Sequence, residues 1–336
     1  MGGIVVAKIV GVLAGLVALT AVVLYLIPSN DYLLLPDPAH PVAPLVTVQG
    51  GHDPPGPGGI YFVDVIERKA STFESLFPSI HSGATLVPAR EIVPPGVSDQ
   101  AARQADLRAM TISQKIAAAV ALRRLGYKIV AKPTGVIVAA LSATSHAVGK
   151  LQPSDLIVAV NGVPTLAVAQ LRAQLAKVKP GETVALSIDR GGERLTVHVQ
   201  TIADPKNKKH AIVGFAPAQA VDVKLPLKVR IDAHNVGGPS AGLAFALEVL
   251  EELGHNVDRG YRVAVTGQIE LNGAVDPIGG VKQKTLGARE AKADVFLVPA
   301  GDNAREARRY ANGLRIIPVK SFQQALRELA TLPPKH

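Results

Sequence analysis

Ser240 and Lys284 are the residues whose types and surroundings promise chemistry. In "NVGGPSAGLAFALEVLEELG", Asn235 to Gly254, Ser240 stands at the mouth of an apolar helical run, with Gly237, Gly238 and Gly242 around it. A helix start gathers free N–H groups and the positive end of the helix dipole. Glycine removes side chains where the backbone must come close to something. A hydroxyl set there can serve as a nucleophile beside an oxyanion site. The plainer role of such a serine is to cap its helix, and this stretch alone favours the cap. Leu243, Leu247 and Leu250 share one side of the run, with Phe245 and Val249 beside them, so a helix buried nearly all round is expected.

The stretch "GAVDPIGGVKQK", Gly273 to Lys284, opens a second helix. Lys282 and Lys284 are two apart and face nearly opposite sides. Lys282 shares its face with Arg289 and Lys292, which reads as a solvent face; Lys284 shares its face with Val281, Ala288 and Ala291, which reads as packed. A lysine on an apolar face either snorkels to water or stays desolvated. Desolvation lowers its pKa, and a neutral amine can act as general base towards a serine hydroxyl. The rival arrangement is Ser-His-Asp: Asp232 and His234 fall on one side of a strand, and a triad is recognised only by geometry. No HExxH or comparable metal spacing occurs, there is no cysteine, and no G-x-x-x-x-G-K-[ST] loop is present. No metal and no cofactor is expected.

The elements that must position these residues follow from pattern. Leu225 to Leu332 alternates strands ("LKVRIDA", "YRVAVTGQI", "DVFLVPA", "LRIIPV") with helices, an α/β signature. "IYFVDVI", Ile60 to Ile66, is a strand by its β-branched and aromatic content. Gln104 to Leu125 is a helix whose buried stripe is read as Ile112, Ile116 and Val120, ended by Gly126. Pro28 to Gly59 is rich in Pro and Gly and reads as an irregular stalk.

Ile9 to Ile27 holds no charge and follows Lys8. It is long enough to cross a bilayer and longer than a signal-peptide core. No Lys or Arg appears after it until Arg68, so the positive-inside rule leaves the N-terminus in the cytoplasm and the rest of the chain outside. Net charge is +9, but the one dense basic run, Lys206 to His210, is short and reads as a linker; aromatics, at 4%, do not interleave with it, so nucleic-acid binding is not expected.

Between these parts, Thr134 to Ile202 turns to short strands and tight turns. Gly135-Val136-Ile137-Val138, the turn and strand "LQPSDLIVAVNG", and the helix and hairpin after them resemble a PDZ domain over 132–203. Ser154 stands where such domains usually have glycine. The resemblance implies that Thr134, Gly135, Val136, Ile137 and Val138 take an extended peptide by strand addition; a spacer with an unused groove is the alternative.

The motif "GGPSAG", the "TGQI" after it, and Lys284 within "IGGVKQK" resemble the proteolytic domain of the Lon family. With the anchor and the PDZ module, the whole looks like the membrane-anchored, PDZ-containing Lon-like serine proteases of bacteria. The resemblance implies an α/β (α+β) Lon-type fold with an inserted PDZ domain and one N-terminal transmembrane helix. The parts are an anchor at 1–28, a stalk at 29–59, a first protease part at 60–130, the PDZ domain, and the proteolytic domain at 211–333. It further implies Ser240 as nucleophile, Lys284 as base and Thr266 as the residue orienting the amine, with Gly237, Gly238 and Gly242 in support. Gly237 stands where ATP-dependent relatives usually have an acid, and Gln283 where Glu is frequent. The implied partners are polypeptides that are membrane-associated or secreted, and the lipid bilayer through residues 9–27; a homo-oligomer is allowed. A catalytically silent, membrane-tethered PDZ adaptor is the non-enzymatic alternative.

Overall fold

The computed structural model describes residues 2–52, 58–93, 97–142, 144–205 and 207–335, with backbone only for 2–7. Helix α1 (Gly2–Leu26) carries the apolar N-terminal run; its residues Lys8–Leu26 have a mean hydropathy of 2.6 and are long and apolar enough to cross a membrane.

The segments on either side of 132–203 share one sheet in the order β2 (His40–Pro41), β4 (Gly59–Phe62), β16 (Arg262–Val265), β19 (Val295–Pro299), β20 (Arg315–Val319). The last four run parallel, and β2 is antiparallel to β4. A parallel sheet must be covered on both faces, and the side-chain alternation of its strands shows how. Val263 and Val265 of β16 and Val295 and Leu297 of β19 face a core shared with helices α4 (Asp99–Arg124), α6 (Gly242–Glu252) and α9 (Phe322–Ala330). The alternate residues, Ala264, Phe296 and Val298, face α7 (Val281–Glu290) and α8 (Asp302–Tyr310). Strand β4 comes from before the PDZ domain and β16 from after it, so one sheet joins the two flanking segments of the chain.

The stretch expected as a stalk is folded. Strand β1 (Pro28–Pro36) lies between β5 (Val65–Ser71) and β6 (Thr85–Pro88) in a second, antiparallel sheet, beside the short helices α2 (Thr72–Leu76) and α3 (Ala89–Ile92). Strand β3 (Val46–Val48) pairs with β15 (Val229–Ile231). Leu33, Val42, Val46 and Val48 are buried. Pro28, Pro36 and Pro41 sit at strand ends and Pro44 near the start of a 3₁₀ turn, Ala43–Leu45, where a missing N–H costs little. Residues 53–57 of the expected stalk lie outside the described residues. The stripe of α4 differs in part: Val120 is buried and Ile116 packs against the core as expected, but Ile112 is exposed, and Met110, Ser113, Ala117 and Ala121 complete the buried line. Those side chains are mostly small, so α4 lies close against α6.

The PDZ sheet runs β11 (Glu193–Gln200), β10 (Thr183–Arg190), β8 (Leu156–Val160), β7 (Val130–Leu141), β14 (Phe215–Lys224), with β9 (Val163–Pro164) beside β8 and helix α5 (Val168–Leu175) packed over a separate core. The Lys206–His210 run is no linker from Asn207 on: it is β13 (Asn207–Ile212), paired with β12 (Ile202–Asp204); Lys206 lies outside the described residues. A ribbon of β17 (Gln268–Ile269) and β18 (Val275–Asp276) precedes α7.

Candidate active site

Three chain segments meet at the C-terminal end of β16, where open α/β sheets gather their ligands. Ser240 lies in the turn two residues before α6. Its carbonyl accepts the Gly267 N–H at 2.8 Å, which fixes the turn to the end of β16. Lys284 is in the first turns of α7, whose N-cap, Gly280, is left-handed at φ 68°. A side chain at Gly280 would meet Val65 Cγ2 at 2.7 Å, so glycine lets α7 start this close to β5.

Lys284 Nζ donates to Ser240 Oγ at 2.7 Å and to Thr266 Oγ1 at 3.4 Å. Thr266, fully buried, in turn donates to the Ser240 carbonyl at 3.3 Å. Lys284 is only 5% exposed and does not snorkel. Burial lowers its pKa from the ordinary 10.5 to about 8, and the negative charge of Asp64 pulls the other way. The Asp64 carboxyl is itself raised, first by burial and then by Asp37, with His40 opposing. Ser240 does not cap its helix: the N-cap of α6 is Ala241, without a side-chain cap bond, and the Ser240 hydroxyl is engaged by the lysine.

The glycines serve a different neighbour from the one expected. A Cβ at Gly237 would sit 2.8 Å from Asp106 Cβ, and one at Gly242 2.5 Å from Ser113 Oγ, both on α4. Gly238 takes φ +80°, and its N–H is donated to the Asp106 carbonyl at 2.9 Å. Ser113 Oγ donates to the Pro239 carbonyl at 3.0 Å and Arg103 to the Asn235 carbonyl at 2.5 Å. The serine loop is thus clamped along its length by α4. Among the described residues, the N–H groups of Ser240 and Ala241 carry no protein acceptor.

Lys282 is half-buried rather than solvent-facing. Its amine reaches over to the Ala84 carbonyl at 2.8 Å and Thr85 Oγ1 at 3.2 Å. Gln283 beside it donates to the Gly83 carbonyl and Thr85 Oγ1, which a carboxylate could not do. Sequence reasoning missed Asp64; the signal was an acid directly after the apolar "IYFV" run. His234 pairs with Asp232 at 3.4 Å but is 74% exposed and left-handed in a turn, not on a strand; among the described hydrogen bonds none joins it to Ser240. The dyad opens into a cleft of ≈ 790 Å³ whose walls include Tyr32, Leu34, Glu67 and Asp106.

The expected peptide edge of the PDZ domain is also displaced. Gly135–Val138 is interior to the sheet: β14 pairs along one side, and β8 pairs with Val136 and Ile137 on the other. A strand with both edges used cannot accept another. The edge strands of this sheet are β11 and β14, and β14 lies beside α5. Gln219 of β14 accepts the Val168 N–H and donates to the Leu166 carbonyl, fixing the strand to the start of that helix. Ser154 is left-handed at φ 70°, and its hydroxyl donates to the Ala105 carbonyl of α4 at 3.1 Å.

Two family models match the chain: the Lon protease (S16) C-terminal proteolytic domain over residues 191–331 and the PDZ domain over 123–201. Lon protease 2 of Bacillus subtilis (strain 168) is 38% identical over 123 residues, covering 36% of this chain and 21% of that protein. The Lon protease of Chloroflexus aggregans is 31% identical over 140 residues, covering 40% and 17%. The chain therefore spans about a fifth of the length of these curated relatives. The PDZ domain of the SdrC-like protein of Listeria monocytogenes is similar in structure at 20% identity and a TM-score of 0.24, covering 26% of this chain and 90% of that one. Residues 191–331 thus resemble the proteolytic domain of a serine peptidase. More narrowly, the resemblance is to the Lon type, and the chain joins this part to a segment that matches the PDZ model, behind an N-terminal apolar helix.

Proposed function

We propose that the chain is a membrane-anchored, ATP-independent endopeptidase that cuts polypeptides with a Ser240–Lys284 dyad. The observation that carries the reading is the 2.7 Å bond between a buried lysine amine and the serine hydroxyl. Neutral Lys284 takes the Ser240 proton as Oγ attacks the scissile carbonyl, giving a tetrahedral oxyanion. The unpaired N–H groups of Ser240 and Ala241, at the positive end of α6, are the donors for that oxyanion. The protonated amine then returns its proton to the leaving nitrogen. Water, deprotonated by the same amine, hydrolyses the acyl-enzyme. Thr266 holds the amine towards Ser240 and supplies no charge. No ATP-binding loop occurs in these 336 residues, so no motor in this chain feeds the cleft. The PDZ-like domain takes an extended peptide or chain end by strand addition at an open edge of its sheet, β11 or β14.

The test is turnover of an unstructured polypeptide by the full chain, with Ser240→Ala and Lys284→Ala beside it. Retained turnover in Lys284→Ala overturns the dyad. External protease added to intact spheroplasts tests topology: digestion after Pro28 is expected, and full protection reverses it.

A further inference from the structure

The membrane reading of α1 has a consequence for the residues that follow the first two strands. Leu76, Phe77 and Ile80 are 60%, 51% and 49% exposed, a run of large apolar side chains on α2 and the 3₁₀ turn after it, Pro78–Ile80. Phe73 packs against Phe77 with ring centroids 5.0 Å apart and the rings tilted by 45°. Exposed apolar residues in one place mark a surface that is covered by something. Their position says what covers them. The Ile27 carbonyl, at the end of the apolar run, accepts the N–H of Thr72 at 2.7 Å and its hydroxyl at 3.1 Å. Ser75 reaches Ser29 at 2.7 Å. So α2 starts where α1 ends.

It also runs back alongside it. Of the described side chains of α1, only Ala21 and Leu24 are half-buried, and α2 and β5 are the elements packed against that helix. Lys8–Leu26 has 19 residues, about 28 Å at the helical rise, which matches the roughly 30 Å of a bilayer's hydrocarbon. Ala21 then lies about 7 Å inside its boundary. What covers Ala21 and Leu24 reaches at least the interfacial layer, the depth to which apolar helix faces bury themselves, about 5–10 Å.

We infer that Leu76, Phe77 and Ile80 form an apolar knob seated in the interface of the bilayer that α1 crosses, so that the protease domain is held rigidly against the membrane. This rests on the reading of α1 as a spanning helix. The consequence is a fixed reach. Leu34 lines the cleft and is six residues past Pro28, at most about 20 Å along the strand. The substrates that fit are polypeptides with unfolded segments close to the membrane surface.

The chain has no tryptophan, so one introduced indole reports depth. Phe77→Trp and, separately, Ile80→Trp are made in the full chain and reconstituted in phosphatidylcholine vesicles. The lipid is brominated either near the chain carbonyl or near the chain centre. Leu16→Trp reports the span, and Val163→Trp, exposed on the PDZ domain, reports no contact. The expected result is strong quenching of Phe77→Trp and Ile80→Trp by the shallow bromines, of Leu16→Trp by the deep ones, and none of Val163→Trp. If the two knob positions are unquenched while Leu16→Trp is quenched, the knob is refuted and the anchor stands. If Leu16→Trp is unquenched as well, the anchor reading itself fails. Knob emission that is unquenched, blue-shifted and dependent on protein concentration overturns the proposal in favour of contact between copies.

Discussion

Asp64→Asn tests the electrostatics of the dyad without touching either of its members. Burial brings Lys284 from 10.5 to about 8, while the Asp64 charge holds its pKa up. At a pKa of about 8, roughly one enzyme in ten has a neutral amine at pH 7; at the ordinary value it is about one in three thousand. Burial is therefore worth a few hundredfold in competent enzyme, or about 3 kcal/mol. Asp64 leaves part of that gain unused. Replacing the carboxylate by a neutral amide lets the lysine pKa fall further. The gain at pH 7 is bounded at about tenfold, because the neutral fraction cannot exceed one. Well above pH 8 the amine is neutral in both forms and the rates converge. The assay is kcat/KM on an unstructured peptide between pH 6 and 10. The expected result is an alkaline-rising profile whose midpoint moves to lower pH in Asp64→Asn. A midpoint that moves to higher pH, or an equal loss at every pH, refutes the reasoning and makes Asp64 a positioning residue. Lys284→Arg keeps a protonated guanidinium and is expected to be inactive throughout.

Other outcomes follow from the same contacts. Ser240→Ala and Lys284→Ala are each expected to abolish proteolysis with the thermal unfolding midpoint retained; Lys282→Ala is expected to cost about 1 kcal/mol of stability through its lost bonds to Ala84 and Thr85 and to keep most turnover. Gly237→Ala pushes a methyl to 2.8 Å from Asp106 Cβ, and a loop displaced by about 1 Å is expected to lower kcat about a hundredfold, measured beside an unchanged far-UV spectrum. Glu248 and Glu251, buried on α6, are raised to about 8 and about 7, chiefly by burial. The folded chain binds these protons more tightly than the unfolded one, so this stability is complete below about pH 4.5 and lost as the pH rises through 7 to 8. Glu248→Gln is expected to recover a few kcal/mol at pH 8 and almost nothing at pH 4.5, read by thermal unfolding.

Ser154 shows both how far the sequence can be read and where reading stops. Its departure from glycine is visible in "QPSDL" and marks a position that ordinarily needs the left-handed conformation. The structure keeps that conformation, at φ 70°, at a cost of roughly 1 kcal/mol, and offsets it with a bond to the Ala105 carbonyl worth about as much. The partner is 49 residues away on a helix of the protease part, which no local pattern discloses. The dyad was legible for the opposite reason: the packed face of Lys284 is a property of one helix, set by Val281 and Ala288. The stalk was misread because proline and glycine content reports only turn-making; the pairing that gives Val46 and Val48 a core joins β3 to β15, across the whole inserted domain. The peptide edge was misread likewise, since whether Gly135–Val138 is an edge depends on β14, some 80 residues later. Ser154→Gly then separates local from distant terms. It relieves the strained backbone and deletes the link to α4, two effects of similar size and opposite sign, so stability is expected to change by less than about 1 kcal/mol. A larger loss in thermal unfolding would mean that the contact between the PDZ turn and α4 carries more than its one hydrogen bond.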